Sequence, residues 1–186
     1  VKRILKLILL FILTVSILGA IYFISKWNKI SYDENIDKSK GIKILDKKIF
    51  QNFFLNSYLA KVKTDFELFE NKSDTVSFNF NSTLNPKYPN LLILRFNRGD
   101  GYSGININVL KYKNYFYTTA ESYTDVVSTS DFLESEPYII KQQKLTLNKS
   151  NYKKGDSIYG KIELEIKFTP NDSIYNAKGY FRSLIE

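Results

Sequence analysis

From Leu7 to Ile24 the chain runs eighteen residues without a charge, and no other stretch limits its fold as strongly. Thr14, Ser16 and Gly19 are the main interruptions. Lys2, Arg3 and Lys6 stand in front, and Lys26 and Lys29 follow. At a rise of ~1.5 Å per residue, such a helix spans roughly 27 Å, close to the ~30 Å hydrocarbon core of a bilayer. A helix that is apolar on every side for five turns fits a soluble core poorly. The expectation is an uncleaved signal-anchor transmembrane helix over residues 1–25. The rival is a signal peptide cut after Ala20, which would release a secreted binding module. Against it, the apolar run exceeds the ~7–15 residues of a signal core, and Leu18 stands where a small residue is wanted. Tyr22 and Trp27 would sit at the membrane boundary, where amphipathic rings are favoured.

Three basic residues within the first six place the amino terminus in the cytoplasm, although Lys26, Lys29, Lys38 and Lys40 weaken the asymmetry. The rest of the chain is then extracytoplasmic, periplasmic or on the cell surface, held by a single pass through the cytoplasmic membrane. Val1 reads as a GTG start codon translated literally, which suggests a bacterial gene.

Behind the anchor, roughly 160 residues are enough for one domain with a real core. The chain has no Cys and no His. That removes disulfides, thiol nucleophiles, thiolate metal sites, the commonest general base and the commonest metal ligand. No catalytic residue, metal site or cofactor is therefore expected, and the domain reads as non-enzymatic. Fourteen Phe and fourteen Tyr supply the core instead. Of the formal charge of +8, three belong to Lys2, Arg3 and Lys6 and five to the remainder. A mild basic excess suits anionic headgroups or polyanionic envelope polymers. It is equally the product of a Lys- and Asn-rich, AT-biased genome.

Residues 26–44 are polar, charged and non-periodic, as a tether from membrane to domain would be. Over 45–59, Leu45, Ile49 and Phe53 with Phe50 and Phe54 recur at helical spacing, with Asp46 as a candidate N-cap. This predicts a short amphipathic helix at the start of a domain spanning 45–186. From Lys61 the period changes to two. Phe66 and Leu68 alternate with Asp65 and Glu67; Val76, Phe78 and Phe80 with Ser77 and Asn79; Ile105, Ile107 and Val109 with Asn106 and Asn108. Further strands follow at Leu91–Asn97, Tyr115–Tyr123, 138–147, 157–169 and 174–185, with Lys113-Asn114 a tight turn. About eight short strands with turn chemistry between them predict an all-β fold, an antiparallel β-sandwich. In the last hairpin, Ile158, Gly160, Ile162, Leu164 and Ile166 share one face, and Tyr175, Ala177, Gly179 and Phe181 are the matching inward set. Two registers satisfy both faces, one with Glu163 opposite Lys178 and Phe181 over Gly160, the other with Glu165 opposite Lys178.

The pattern Tyr152-x-x-Gly155-Asp156-x-Ile158-x-Gly160-x-Ile162 resembles a strand–turn–strand of immunoglobulin-like sandwich modules, including arrestin-like and macroglobulin-like domains. The resemblance covers the stretch Leu145–Ile166. It implies a fold and carries no catalytic residue. In it Tyr152 would cap the core edge, Gly155 and Asp156 make the turn, and Gly160 permits a bulge or a close-packed aromatic ring.

Several surface features could bind something. Tyr112, Tyr115, Tyr117 and Tyr123, with Lys111 and Lys113, form a candidate aromatic, basic surface for a glycan; an extracytoplasmic setting argues against nucleic acid. Tyr is also simply a good strand residue. Asp131, Glu134 and Glu136 cluster in the connection 124–137, where carboxylates could serve a carbohydrate-active or cation-dependent enzyme; solvation alone also makes such loops acidic. Arg98-Gly99-Asp100 matches the integrin tripeptide but contains what a turn needs. Thr75, Ser157 and Ser173 each follow Asp and precede a β-branched residue, which looks like the O-glycosylation acceptor pattern of some Gram-negative envelope proteins. Turn chemistry before a strand gives the same pattern. The expected function is a membrane-anchored binding or scaffolding module of the bacterial cell envelope, with an envelope protein or glycan as partner.

Overall fold

The computed structural model describes residues 2–47, 49–51, 59–69, 75–100, 102–124 and 137–186. The apolar run forms helix α1 (Lys2–Ser25), of which Lys6–Ser25 is long and apolar enough to cross a membrane, with a mean hydropathy of 2.8. Its large apolar side chains are exposed along the span. The two hydroxyls near its middle are satisfied by the helix: Thr14 Oγ1 donates to Leu10 O at 2.9 Å and Ser16 Oγ to Ile12 O at 2.8 Å. Water is not needed for either group, as a bilayer interior requires.

The remainder is mostly β-strand. The strands form one sheet of five and one of six. In order across it, the first contains β1 (Asn28–Lys29), β10 (Tyr115–Thr124), β9 (Ser103–Tyr112), β8 (Leu91–Gly99) and β7 (Asn79–Leu84). In the same way the second contains β2 (Ser31–Tyr32), β11 (Tyr138–Leu147), β12 (Ser157–Phe168), β13 (Ser173–Leu184), β5 (Glu67–Phe69) and β6 (Thr75–Ser77). A separate pair joins β3 (Ile49–Gln51) to β4 (Leu59–Lys61). The strands therefore exceed the eight expected, because short edge segments that carry no legible period also pair. The sheets are also not purely antiparallel: β2 runs parallel to β11.

Alternation places one face of each sheet inward. Phe80, Leu92, Leu94, Phe96, Ile107, Val109 and Phe116 from the first sheet meet Leu68, Leu145, Leu147, Ile158, Ile162, Leu164 and Phe181 from the second in one cluster. Its centre is aromatic. The Phe66 and Phe96 rings are 4.5 Å apart, Phe80 and Phe181 4.7 Å, and Phe96 and Phe181 5.5 Å, so the rings bridge the two sheets. In the β12–β13 hairpin Glu163 lies opposite Lys178 and Gly160 opposite Phe181, the first of the two registers that the sequence allows. The ion pair of Glu163 nevertheless forms along its own strand, with Lys161 at 2.5 Å.

At both flanks the chain changes sheet. On one side β1 pairs with β10, Ile30 turns inward and is buried, and β2 pairs with β11. On the other, β6 belongs to the second sheet and β7 to the first, with buried Phe78 at the crossing. β1 and β2 cover only residues 115–116 of β10 and 146–147 of β11, and among the described residues no strand pairs with the rest of those two edges.

The segment 26–44 differs most from expectation. Instead of a polar tether it buries Ile30, Ile36 and Ile42, and with Leu45 these hold a short 3₁₀ turn (Ile36–Lys38) and α2 (Lys40–Lys47) against the domain. The helix begins at residue 40, where the Ser39 side chain accepts the Ile42 N–H at 3.4 Å in the manner of an N-cap. It does not begin at Asp46. Asp46 lies within α2 and pairs with Arg182 of β13, whose guanidinium also donates to Leu45 O at 3.0 Å. Gly41 packs against the Tyr180 ring, which leaves no room for a Cβ. Of the helix expected over 45–59, only its first three residues are helical; Ile49–Gln51 is strand, and 48 and 52–58 lie outside the described residues.

Candidate functional site

Lys111 is the anomaly from which a site can be built. In β9 the inward positions are Ile107, Val109 and Lys111, so the strand's alternation carries a lysine into the interior, where it is 4% exposed. Its ammonium donates to Ser150 O at 2.7 Å and to Lys113 O at 2.8 Å. Lys113 begins the two-residue turn into β10 and has φ 52, the left-handed conformation that such tight turns use. No carboxylate appears among those partners. Burial accordingly pushes the Lys111 amine below its ordinary range.

The connection from β11 to β12 forms the opposite wall. Asp156 organises it: one carboxylate oxygen, Oδ2, accepts the Lys149 ammonium and the Lys153 N–H, both at 2.8 Å. The Lys149 hydrogen bond and then the Lys153 N–H hold the Asp156 carboxyl below the usual carboxylate range. Gly155, at φ +86, supplies the left-handed residue that closes this turn and donates its N–H to Ile185 O at 2.8 Å. Tyr152 lies between the walls, its ring 5.3 Å from the Lys149 ammonium and 5.8 Å from that of Lys111. Its hydroxyl donates to Asn148 Oδ1 at 2.7 Å, and burial, before any other cause, keeps the phenol raised and therefore neutral.

Together these elements enclose a pocket of about 630 Å³ at the end of the domain, with Leu84 and Pro89 on its rim. Lys111, Lys113, Lys149 and Lys153 line it against one carboxylate, Asp156. Two cations over one ring, no phenolate and a single acid leave its field positive. Such a field attracts anions. Among the described residues no group of three or more acidic side chains could hold a metal ion.

The four tyrosines expected to form a surface lie on the outward face of β9 and β10, but not as one patch. Tyr112 and Tyr115 face each other across the turn, both exposed, and Lys113 sits 5.5 Å over the Tyr112 ring. Tyr117 instead packs on Trp27 at 5.9 Å and Phe23 at 6.4 Å, joining the domain to α1. Tyr123 is six residues further along β10, roughly 20 Å away, with its hydroxyl over Gly99 and Gly104. Lys111 does not join that surface at all; it points to the other side of the sheet.

Thr75 starts β6, opposite Phe69. Ser157 and Ser173 lie at opposite ends of the β12–β13 hairpin, paired with Leu184 and Phe168. The three are not brought together. Asp131, Glu134 and Glu136 lie outside the described residues. In Arg98-Gly99-Asp100, Asp100 accepts the Tyr102 and Ser103 N–H groups at 2.9 and 2.8 Å, which accounts for its place as turn chemistry.

Lys149 and Lys153 escaped the sequence reading because loop residues carry no period. Lys111 did leave a signal, a charge at an inward position of an alternating strand. No protein family, curated protein or solved structure matches this chain.

Proposed function

We propose that the chain is a single-pass protein of the bacterial cell envelope whose extracytoplasmic β domain is a non-enzymatic binding or scaffolding module. The observation that carries this reading is the junction between helix and domain. Helix α1 ends at Ser25 and β1 begins at Asn28. Between them, Phe23, Trp27 and Tyr117 pack ring on ring, and Gln143 Nε2 donates to Lys26 O at 2.9 Å. A span of membrane length joined so closely supports a domain mounted on the bilayer surface rather than one swinging from a leash. The basic residues in front of α1 support a cytoplasmic amino terminus. The Tyr152–Ile162 turn, with Gly155 in the left-handed region and Gly160 under Phe181, is what supports reading the two facing sheets as an immunoglobulin-like sandwich.

Protease shaving of spheroplasts, followed by detection of a carboxy-terminal tag, tests the topology. Loss of the tag signal in intact spheroplasts is expected. A tag protected until lysis would reverse the orientation and overturn this reading, and recovery of the protein in the soluble fraction would remove the anchor from it.

A further inference from the structure

We propose that the pocket around Lys111 binds a phosphate group, carried by a phosphomonoester or phosphodiester. The proposal deepens the binding-module reading by naming the chemistry of its ligand. Three lysines, Lys111, Lys149 and Lys153, line the pocket and one carboxylate opposes them, while the Lys113 ammonium lies over the Tyr112 ring on the outward face. That carboxylate is already committed to Lys149 and to the Lys153 N–H. Lys111 is buried with two carbonyls as partners, so its charge is held in place and left unneutralised. A buried cation without a counterion is costly, and an anion arriving in the pocket relieves that cost.

The placement of the cations favours phosphate over a simple carboxylate. Among the described residues the pocket is lined by lysines and no arginine. Ammonium groups act as point charges and converge on an anion without the planar pairing of a guanidinium fork. Lys111 comes from β9 and Lys149 and Lys153 from the β11–β12 connection, with the ammonium groups of Lys111 and Lys149 5.8 and 5.3 Å from the Tyr152 ring. Convergence of that kind suits the several oxygens of a phosphate. A volume of about 630 Å³ exceeds what the phosphate alone requires and leaves room for the group that carries it.

The position in the fold favours a phosphate that is not part of the bilayer in which α1 sits. From α1 the chain passes Asn28 opposite Phe116, Lys29 opposite Tyr115, and Ile30, whose N–H donates to Asn114 O at 2.9 Å. It thus moves away from the helix toward the β9–β10 turn, and the pocket lies at that turn.

Calorimetric titration of the full chain in detergent with inorganic phosphate and with glycerol 3-phosphate, against chloride at matched ionic strength, tests the proposal. Saturable binding is expected, weakened about tenfold by Lys153→Gln and again by Lys149→Gln. Lys153 is exposed and the Lys149 side chain is 41% exposed, so these variants are expected to fold as the parent does, which their melting temperatures check. Lys111→Met should abolish binding if it folds; the two surface variants decide the matter if it does not. A parallel arm measures capture of phosphatidylglycerol against phosphatidylcholine vesicles. Lysine-dependent vesicle capture would assign the phosphate to a lipid headgroup, and lysine-dependent binding of the small esters alone to a soluble or polymeric ester. Absence of saturable binding in both arms, or binding unchanged in the lysine variants, overturns the proposal. Either result leaves the protease-shaving outcome untouched, because binding is read on purified protein.

Discussion

Replacing Gly160 by alanine adds one methyl group at the point where β12 passes under Phe181. That methyl would overlap the ring, with two further ring carbons at 2.7 and 2.8 Å from it. The ring has little freedom to retreat. Phe181 is fully buried, with Phe80 at 4.7 Å and Phe96 at 5.5 Å. Overpacking a fixed core costs about 1–3 kcal/mol. The lost flexibility of the unfolded chain returns about 0.4–1 kcal/mol. The net expectation is a destabilisation of roughly 1–2 kcal/mol, or a fall in Tm of roughly 2–8 °C for a domain of this size. Thermal melts of the detergent-solubilised chain, followed by near-ultraviolet circular dichroism, would measure it. A companion variant identifies the cause. Phe181→Leu opens space under Gly160, so the double variant should be less destabilised than the sum of the single ones by at least ~0.5 kcal/mol. A Gly160→Ala protein as stable as the parent, or strictly additive variants, would refute the argument that the ring sets the residue.

Arg182→Lys keeps the charge but loses the fork that reaches Asp46 and Leu45 O, so amide exchange in α2 should quicken while the β12–β13 amides stay protected. Asp156 titrates lower in the folded chain than its unfolded value of ~3.9, so its contribution to stability is present above that value and lost as pH falls through the folded one. The parent's Tm should therefore drop over that acid range more steeply than that of Asp156→Asn; parallel slopes would show the Lys149–Asp156 clip to be irrelevant. Trp27 is the only tryptophan and packs on Tyr117, so Tyr117→Ala should shift its emission without lowering the melting transition of the β domain by more than ~1 kcal/mol.

The sequence is most legible where burial is one-sided. Ile158, Ile162, Leu164 and Ile166 alternate without exception, and matching that face to Ala177, Gly179 and Phe181 left two registers, of which the hairpin takes the one with Gly160 opposite Phe181. Residues 26–44 are the opposite case. Ile30, Ile36 and Ile42 are six apart with mostly polar residues between them, so neither alternation nor helical spacing marks them, yet all three are buried. Asp46 looked like a cap because it precedes an apolar run, but Ser39 caps a helix that starts earlier, and Arg182, distant in sequence, claims the aspartate. The site divides in the same way. Lys111 betrays itself by falling on the inward parity of β9, whereas Lys149 and Lys153 meet it only because the β11–β12 connection folds back over the end of the sheet. Tyr117 and Tyr123 share a face, yet the first packs on Phe23 and Trp27 at the end of α1 and the second on the Gly99–Gly104 turn.

The crossing at residues 28–32 also sets an order of events in folding. These residues come first in the β domain, but β1 and β2 pair with residues 115–116 and 146–147. They therefore wait until most of the chain has been synthesised, and long-range pairings of this kind form slowly. The first strands of the domain in sequence are among the last to find their places.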